Sequence, residues 1–581
     1  MANESRSIAC TFCRKRKRKC DGQTPCSICR RYNKTGACEY PTDKDKRKWK
    51  YDSTYVDYLE LKADILQQFA NELIRSDHSK AKTINRDLIS SIMSHNTMPK
   101  AQSSNTSAET LLKGLADENA IDELVSTTWR VRQDHKGHTE FYGPISGRQQ
   151  VIEDSEEELE NISPNKNIDF VQSSKEFRHS LLEIFKTNFA QFFYISLLDN
   201  EDLKNWDYPS SDISKQFLLC AIFTYSSLFT NHRDLSFSFL QEAEVLCMKA
   251  CRNVNEYVLQ GLLILSCFEL GMGLDSNSWA FNAMTSAFTQ YMKLHLEEVP
   301  TPGNNNDNNN SLISLSPRKT SMFWSIILQD RIITSVLGRG CRIQYFRIKT
   351  PFYSPLLTDK SNEHYLTELS FAYHSKLWYI HDRSIGQIYS FKADYLHNSH
   401  RSILMNQGME ALDEWKASLP LDLKLTSETI DTRILIVHLS FSVVYLLLHR
   451  AYLKQIPLKV IQVTIEQCTI ASNIIQRISN NNLIFKDSPR PYFVSYLILT
   501  CATFDLFLLS NKDESLKPSA LNRIQIYIDS LLDFGKIWRR GNKDIQVLGA
   551  LAKRWKLKIP YLDQALLMVQ DTDKILYNSC K

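Results

Sequence analysis

None of the short motifs that mark the commonest catalytic centres occurs in these 581 residues: there is no G-x-S-x-G, no H-E-x-x-H and no phosphate-binding P-loop. "GMGLDS" (271–276) holds only a fragment of a glycine pattern and reads as a turn between helices. The histidine pairs His135/His138 and His397/His400 have no acids or cysteines at ligand spacing around them. An enzyme is therefore not expected. An N-terminal secretory stretch is missing too, since the first charged run leads into cysteines, so a reducing compartment is expected and disulfides are a poor default. Uninterrupted apolar runs of the ~18 residues that a membrane span requires are also lacking. "ILIVHLSFSVVYLLL" (434–448) is broken by His438 and the run 492–509 by Asp505, so both read as buried helices and no membrane partner is expected.

What is present is unevenly distributed. The net charge is +5, yet residues 1–50 carry fifteen Lys or Arg against five Asp or Glu, leaving the remainder at −5. A basic head on a mildly acidic body suggests that the head meets a polyanion. The head also carries Cys10, Cys13, Cys20, Cys26, Cys29 and Cys38, spaced C-x2-C-x6-C-x5-C-x2-C-x8-C. Two C-x2-C pairs have metal-ligand spacing. One four-thiolate site would leave two sulfurs over, whereas six thiolates saturate two zincs if two of them bridge. Phe12 and Ile28 are the main apolar side chains between Cys10 and Cys38, too few for a core, so metal has to supply the folding free energy, on the order of 10 kcal/mol or more per zinc.

These residues, with the basic run "RKRKRK" (14–19) and Pro25 before the fourth cysteine, resemble the fungal zinc binuclear cluster family of transcription factors. The resemblance implies two zinc ions, bridged by Cys10 and Cys26, with Cys13 and Cys20 completing one site and Cys29 and Cys38 the other. It implies that Lys17 contacts bases at a CGG triplet of double-stranded DNA, and that Arg14, Arg16, Lys19, Arg30 and Arg31 add phosphate or flanking contacts. The basic run is expected on a short helix beginning after Cys13.

Residues 1–50 are thus read as the zinc cluster domain with a basic linker. In 51–75, Val56, Leu59, Ala63, Leu66, Ala70 and Leu73 alternate spacings of three and four, an a/d series that predicts a short dimerising coiled coil and a homodimer. Residues 76–165 are polar and read as a largely disordered linker, with the acidic patch "EDSEEELE" (153–160) as a solvated stretch or a partner contact. From 166 to 581 the pattern is successive amphipathic helices, split by an Asn-rich loop at 300–316. The expected fold class is mostly all-α: a small two-zinc cysteine cluster, a short coiled coil and a large helical regulatory domain.

Parts of that region resemble the regulatory, or middle homology, region of the same family. They include "EFYGPISG" (140–147), "LQGLLILSCFELGMGLDSNSWAFNAM" (259–284), "MFWSIILQDRIITSVLGR" (322–339), "EALDEWKASLP" (410–420) and "LLLHRAYL" (446–453). Lys293 and Ala451 stand where Gly and Pro are usual, and "QYF" (344–346) replaces an acidic pattern. The resemblance implies a nuclear, sequence-specific regulator of RNA polymerase II transcription, with transcriptional coregulators and a metabolite or xenobiotic as possible effector. The competing reading is a structural DNA-associated subunit of a chromatin or kinetochore assembly. The eight remaining cysteines, Cys220, Cys247, Cys251, Cys267, Cys341, Cys468, Cys501 and Cys580, are scattered and read as small buried hydrophobes.

Overall fold

A helix that is apolar on nearly every side has to be surrounded by other helices, and the segments 256–272, 434–450 and 494–509 are of that kind. The computed structural model describes residues 10–16, 20–38, 120, 124, 130–133, 139–142, 174–193, 203–300, 312–362, 364–389, 398–454, 456–484 and 491–579. It divides into one unit spanning Met1–Lys100 and another spanning Ala101–Lys581. The expected dimer seam, Val56 to Leu73, lies outside the described residues, as do His135, His138, His397 and Cys580.

The first unit holds α1 (Thr11–Lys15), α2 (Ser27–Arg31) and a 3-10 turn, Thr35–Ala37. In the second unit, β1 (Arg130–Gln133) and β2 (Thr139–Tyr142) form an antiparallel hairpin. There follow α3 (Lys175–Phe185), continued by a π turn at Lys186–Ala190, then α4 (Ile213–Ser227), α5 (Asp234–Ala250), α6 (Glu256–Met272) and α7 (Asp275–Tyr291). After β3 (Glu298–Pro300) and β4 (Leu312–Ser314) come α8 (Pro317–Leu337), α9 (Tyr365–Ile388), α10 (Asn398–Ala417), α11 (Thr432–Arg450) and α12 (Pro457–Ile484). The unit ends with α13 (Val494–Leu509), α14 (Lys517–Gly535), α15 (Arg539–Arg554) and α16 (Pro560–Ser579).

The helix ends follow local chemistry. Asp212, Asn255 and Asp431 accept backbone N–H bonds at the starts of α4, α6 and α11. Pro317 opens α8, and Gly273 and Gly338 close α6 and α8 at φ 80° and 63°, where a left-handed residue is needed. The apolar helices α6, α8, α11 and α13 are buried along most of their length, and one core runs from Ala120 to Val569. By length and composition α11 would cross a membrane, but here its residues are buried inside the body.

Two expectations are refined by the structure. Within the polar stretch 76–165, Ala120 and Leu124 are buried in the core, and the Leu124 carbonyl accepts from the Arg450 guanidinium. Average composition hid them: a buried arginine on α11 needs an acceptor, and the Leu124 carbonyl supplies it. The ends of the Asn-rich loop are paired, Val299 opposite Ile313, so the insertion leaves from a hairpin rather than from open coil.

Several charges inside this core are paired. Arg523 on α14 forms a two-pronged contact with Asp505 on α13, Nε lying 3.1 and 2.9 Å from the two carboxylate oxygens, which accounts for the acid within that apolar run. The C-terminal helices close back on the front of the unit. Arg540 donates to the Leu270 carbonyl (2.9 Å) and pairs with Asp275, while Lys543 donates to the Gly273 carbonyl (2.9 Å). Trp538 is fully buried beside Tyr225, and a Cβ added at Gly271 would meet its ring at 2.4 Å. Gly271 is thus required for close approach and Gly273 for its backbone angle; within "GMGLDS" the turn is Gly273 and Leu274 alone, the flanking residues belonging to the ends of α6 and α7.

Candidate metal centre and nucleic-acid interface

The first unit is built around sulfur. Cys10 and Cys26 each sit one residue before a short helix, and each thiol accepts the backbone N–H three residues on, from Cys13 at 3.5 Å and Cys29 at 3.3 Å. The two C-x2-C segments are therefore local copies of one capped turn. The Cys38 sulfur accepts from the backbone of Cys26 at 3.2 Å, which ties the end of the loop to the start of α2.

These turns bring the thiols into two groups: Cys10, Cys13, Cys20 and Cys26, and Cys10, Cys26, Cys29 and Cys38, the sulfurs of each group within 4.8 Å of one another. Cys10 and Cys26 belong to both. Sulfur separations of 3.9 Å (Cys10 to Cys26), 3.6 Å (Cys10 to Cys29) and 3.6 Å (Cys13 to Cys26) are too long for disulfides. They match the edge of a tetrahedron with zinc–sulfur bonds of about 2.3 Å, which is about 3.8 Å. The donor set therefore fits two metal ions sharing two sulfurs. Burial pushes the Cys13 and Cys29 thiols up, whereas at Cys26 and Cys38 the hydrogen bonds from backbone N–H groups and neighbouring thiols outweigh burial and pull the thiols down; a divalent ion favours the thiolate at all six.

The surrounding loop is stitched by polar side chains that sequence reading did not single out. Asp21 accepts from the backbone of Ser27 (3.0 Å) and Gln23 (3.3 Å), which holds its carboxyl below the usual carboxylate range. Arg30 donates to the Pro25 carbonyl (3.1 Å) and to Gln23 (2.7 Å), so this expected phosphate contact also braces the loop. Arg16 lies over Phe12 and Tyr32, its guanidinium carbon 4.8 and 5.8 Å from the ring centroids. The aromatics two residues after Cys10 and three after Cys29 were the available signal, and they give a fixed direction to one of the expected DNA contacts. Arg31 is exposed. The helix α1 starts at Thr11, before Cys13 rather than after it, because the Cys10 thiol caps it. Arg14 lies within it, with a side chain outside the described set, and Lys17 and Lys19 lie outside the described residues.

Comparison with known proteins agrees with this geometry. Residues 8–47 match the fungal Zn(2)-Cys(6) binuclear cluster domain, and residues 177–417 match the fungal specific transcription factor domain. The chain thus carries a domain similar to the fungal Zn(2)-Cys(6) binuclear cluster followed by one similar to the fungal specific transcription factor domain. A transcriptional regulatory protein of Schizosaccharomyces pombe is 24% identical over 93% of this chain and 89% of its own length. Transcription factor ROB1 of Candida albicans is 53% identical over 10% of this chain and 5% of its own, and the activatory protein CHA4 of Saccharomyces cerevisiae is 21% identical over 60% and 56%. This zinc-cluster protein binds two zinc ions, and its relatives are transcriptional regulators. The second matched domain stops at 417, whereas the helical core continues to Val569, so the helices that cap α6 lie beyond the match.

The other expected site candidates behave as structure. Cys220, Cys267, Cys468 and Cys501 are buried, and burial pushes the Cys267 thiol up to about 12. Cys247 is buried beside Cys251 and also pushed up to about 12, the opposite of an activated thiolate.

Proposed function

We propose that this protein is a nuclear, sequence-specific DNA-binding regulator of RNA polymerase II transcription that reads CGG triplets. The observation that carries the reading is the pair of four-thiol groups sharing Cys10 and Cys26, with α1 capped by one of the shared sulfurs. Zinc at Cys10, Cys13, Cys20, Cys26, Cys29 and Cys38 fixes both ends of the basic run, and Lys17 makes the base contact at guanine O6 and N7. Arg14, Arg16, Lys19, Arg30 and Arg31 hold phosphates or flanking bases, and the a/d series from Val56 to Leu73 pairs two copies so that two triplets are read together. The helical unit is regulatory rather than enzymatic, and its interior is where a small-molecule effector would sit, with coregulators on its surface.

Selection of bound sequences from random duplex DNA by the full chain, at stated salt, tests this. Paired CGG triplets are the expected result, and no enriched triplet would sink the reading. With Lys17→Ala the CGG preference should fall by about 1–3 kcal/mol, while zinc content stays at two ions. An unchanged preference removes Lys17 from the reading role.

A further inference from the structure

The described surface of the helical unit carries a second basic feature that zinc-cluster DNA reading does not use. Between Gly338 and Thr350 the chain has Arg339, Arg342, Arg347 and Lys349 and no carboxylate. Two of these guanidiniums lie on one indole: their carbon atoms are 4.8 Å (Arg339) and 4.4 Å (Arg342) from the centroid of Trp279 on α7. Arg342, Arg347 and Lys349 are exposed and, among the described residues, form no ion pair.

The stretch is pinned from below. Buried Arg331 on α8 is held by Asp330 (2.8 Å, Nη1) and Asp382 (2.6 Å, Nη2), and Nη2 also donates to the Ile343 carbonyl at 2.5 Å. Gln387 donates to the Tyr345 hydroxyl at 2.6 Å, Lys349 N–H to the His295 carbonyl at 2.8 Å, and the Thr350 hydroxyl to the Leu294 carbonyl at 2.6 Å. One step earlier, Lys293 occupies a left-handed backbone position, φ 59°, that glycine would fill with less strain. A lysine retained there adds a fifth cation beside the same join. Like charges gathered on one pinned stretch, two of them on a single ring, favour a polyanion and need little further ordering to receive one.

We infer that this surface docks the chain's own acidic segment, residues 153–160. That segment has six carboxylates in eight residues. It is tethered on both sides to the same unit: Glu153 is eleven residues after Tyr142 at the end of β2, and Glu160 is fourteen before Ser174 at the start of α3. Extended chain of that length reaches about 40 to 50 Å, and a tether of this kind gives an effective concentration of about a millimolar. Charge complementarity and tethering together favour this occupant over a free anion. The contact screens with salt, so the segment is held at low ionic strength and released at high.

Zero-length carbodiimide coupling on the full chain tests it, since the reagent joins carboxylates to lysine amines only when they are in contact. Links from Lys293 or Lys349 to residues 153–160 are expected within one chain, falling about tenfold at about 0.5 M salt and in the double variant Arg342→Glu, Arg347→Glu. A second chain, with Glu156→Gln, Glu157→Gln and Glu158→Gln, leaves the platform untouched and should raise amine acetylation at Lys293 and Lys349. Absence of the links, or links indifferent to both sets of changes, overturns the proposal. Links only between differently isotope-labelled copies overturn it in favour of a second chain. Loss of about two units of salt slope in duplex DNA binding by the double variant, with no links in the parent, overturns it in favour of nucleic acid.

Discussion

In the cysteine-rich unit the buried side chains are thiols, with Phe12 and Ile28 only partly covered beside them. In the helical unit Trp324, Trp378, Trp415 and Trp538 are fully buried in a core that extends from Ala120 to Val569. One unit closes around metal because it has too little apolar surface to close around anything else; the other needs no metal because burial is worth roughly 25 cal/mol per Å² over a large area. The two should therefore fail independently and under different insults.

The largest separation is expected from the cysteines. Cys26→Ser removes a sulfur common to both groups and withdraws binding free energy on the order of 10 kcal/mol or more per zinc, unfolding the first unit. Metal analysis should find the zinc lost and DNA binding abolished, with the thermal transition of the helical unit unmoved; a zinc-loaded variant would break the comparison. In the opposite direction, Trp538→Ala empties the site beside Gly271 and Tyr225 and should cost about 3–5 kcal/mol in the helical unit. Its calorimetric transition should drop while zinc stays at two ions.

A smaller effect sharpens what the helical core tolerates. Glu269 on α6 is fully buried, its carboxylate oxygens have no well-formed hydrogen bond among the described residues, and burial pushes its carboxyl up to about 8, with Glu244 adding in the same direction and Asn277 opposing it weakly. The folded form thus holds a proton that the unfolded chain gives up above about 4.5. Through this group, stability is fully present at low pH, falls as pH rises from about 4.5 to about 8, and is level above that. Glu269→Gln should therefore stabilise the unit by a few kcal/mol at pH 9 and by little at pH 4, read from denaturant midpoints. Equal gains at both would remove the buried acid from the account. Smallest is Tyr32→Ala, which takes one ring from Arg16 and should weaken DNA binding by about 0.5–1 kcal/mol without changing zinc content.

Local chemistry was legible in the chain wherever the cause was itself local. The spacing of the six cysteines signals a two-metal cage, and the thiol groups sharing Cys10 and Cys26 fit it. Phe177, Leu181, Phe185, Phe189 and Phe192 recur at helical spacing, which marks one face, and all but the half-buried Phe177 are buried. The run broken by Asp505 reads as a buried helix and is one, but the ion pair that accommodates the acid was not legible, because its partner Arg523 lies on the next helix and carries no signal of its own. Ala120 and Leu124 were lost in a polar average, and the hairpin around the Asn-rich insertion was too short to show a period of two.

By itself, the sequence determined the helical class, the metal chemistry and the basic character of the reader, because each follows from residue type at fixed short spacing. Tertiary structure alone decided that Arg540 and Lys543 cap α6 from some 270 residues away, and that Arg331 holds a carbonyl beneath a row of exposed arginines. It also decided that Trp279 gathers Arg339 and Arg342 on one ring. The reason is physical: a buried donor binds whichever acceptor the packing brings within about 3 Å, and the packing of helices distant in sequence leaves no periodicity in either of them.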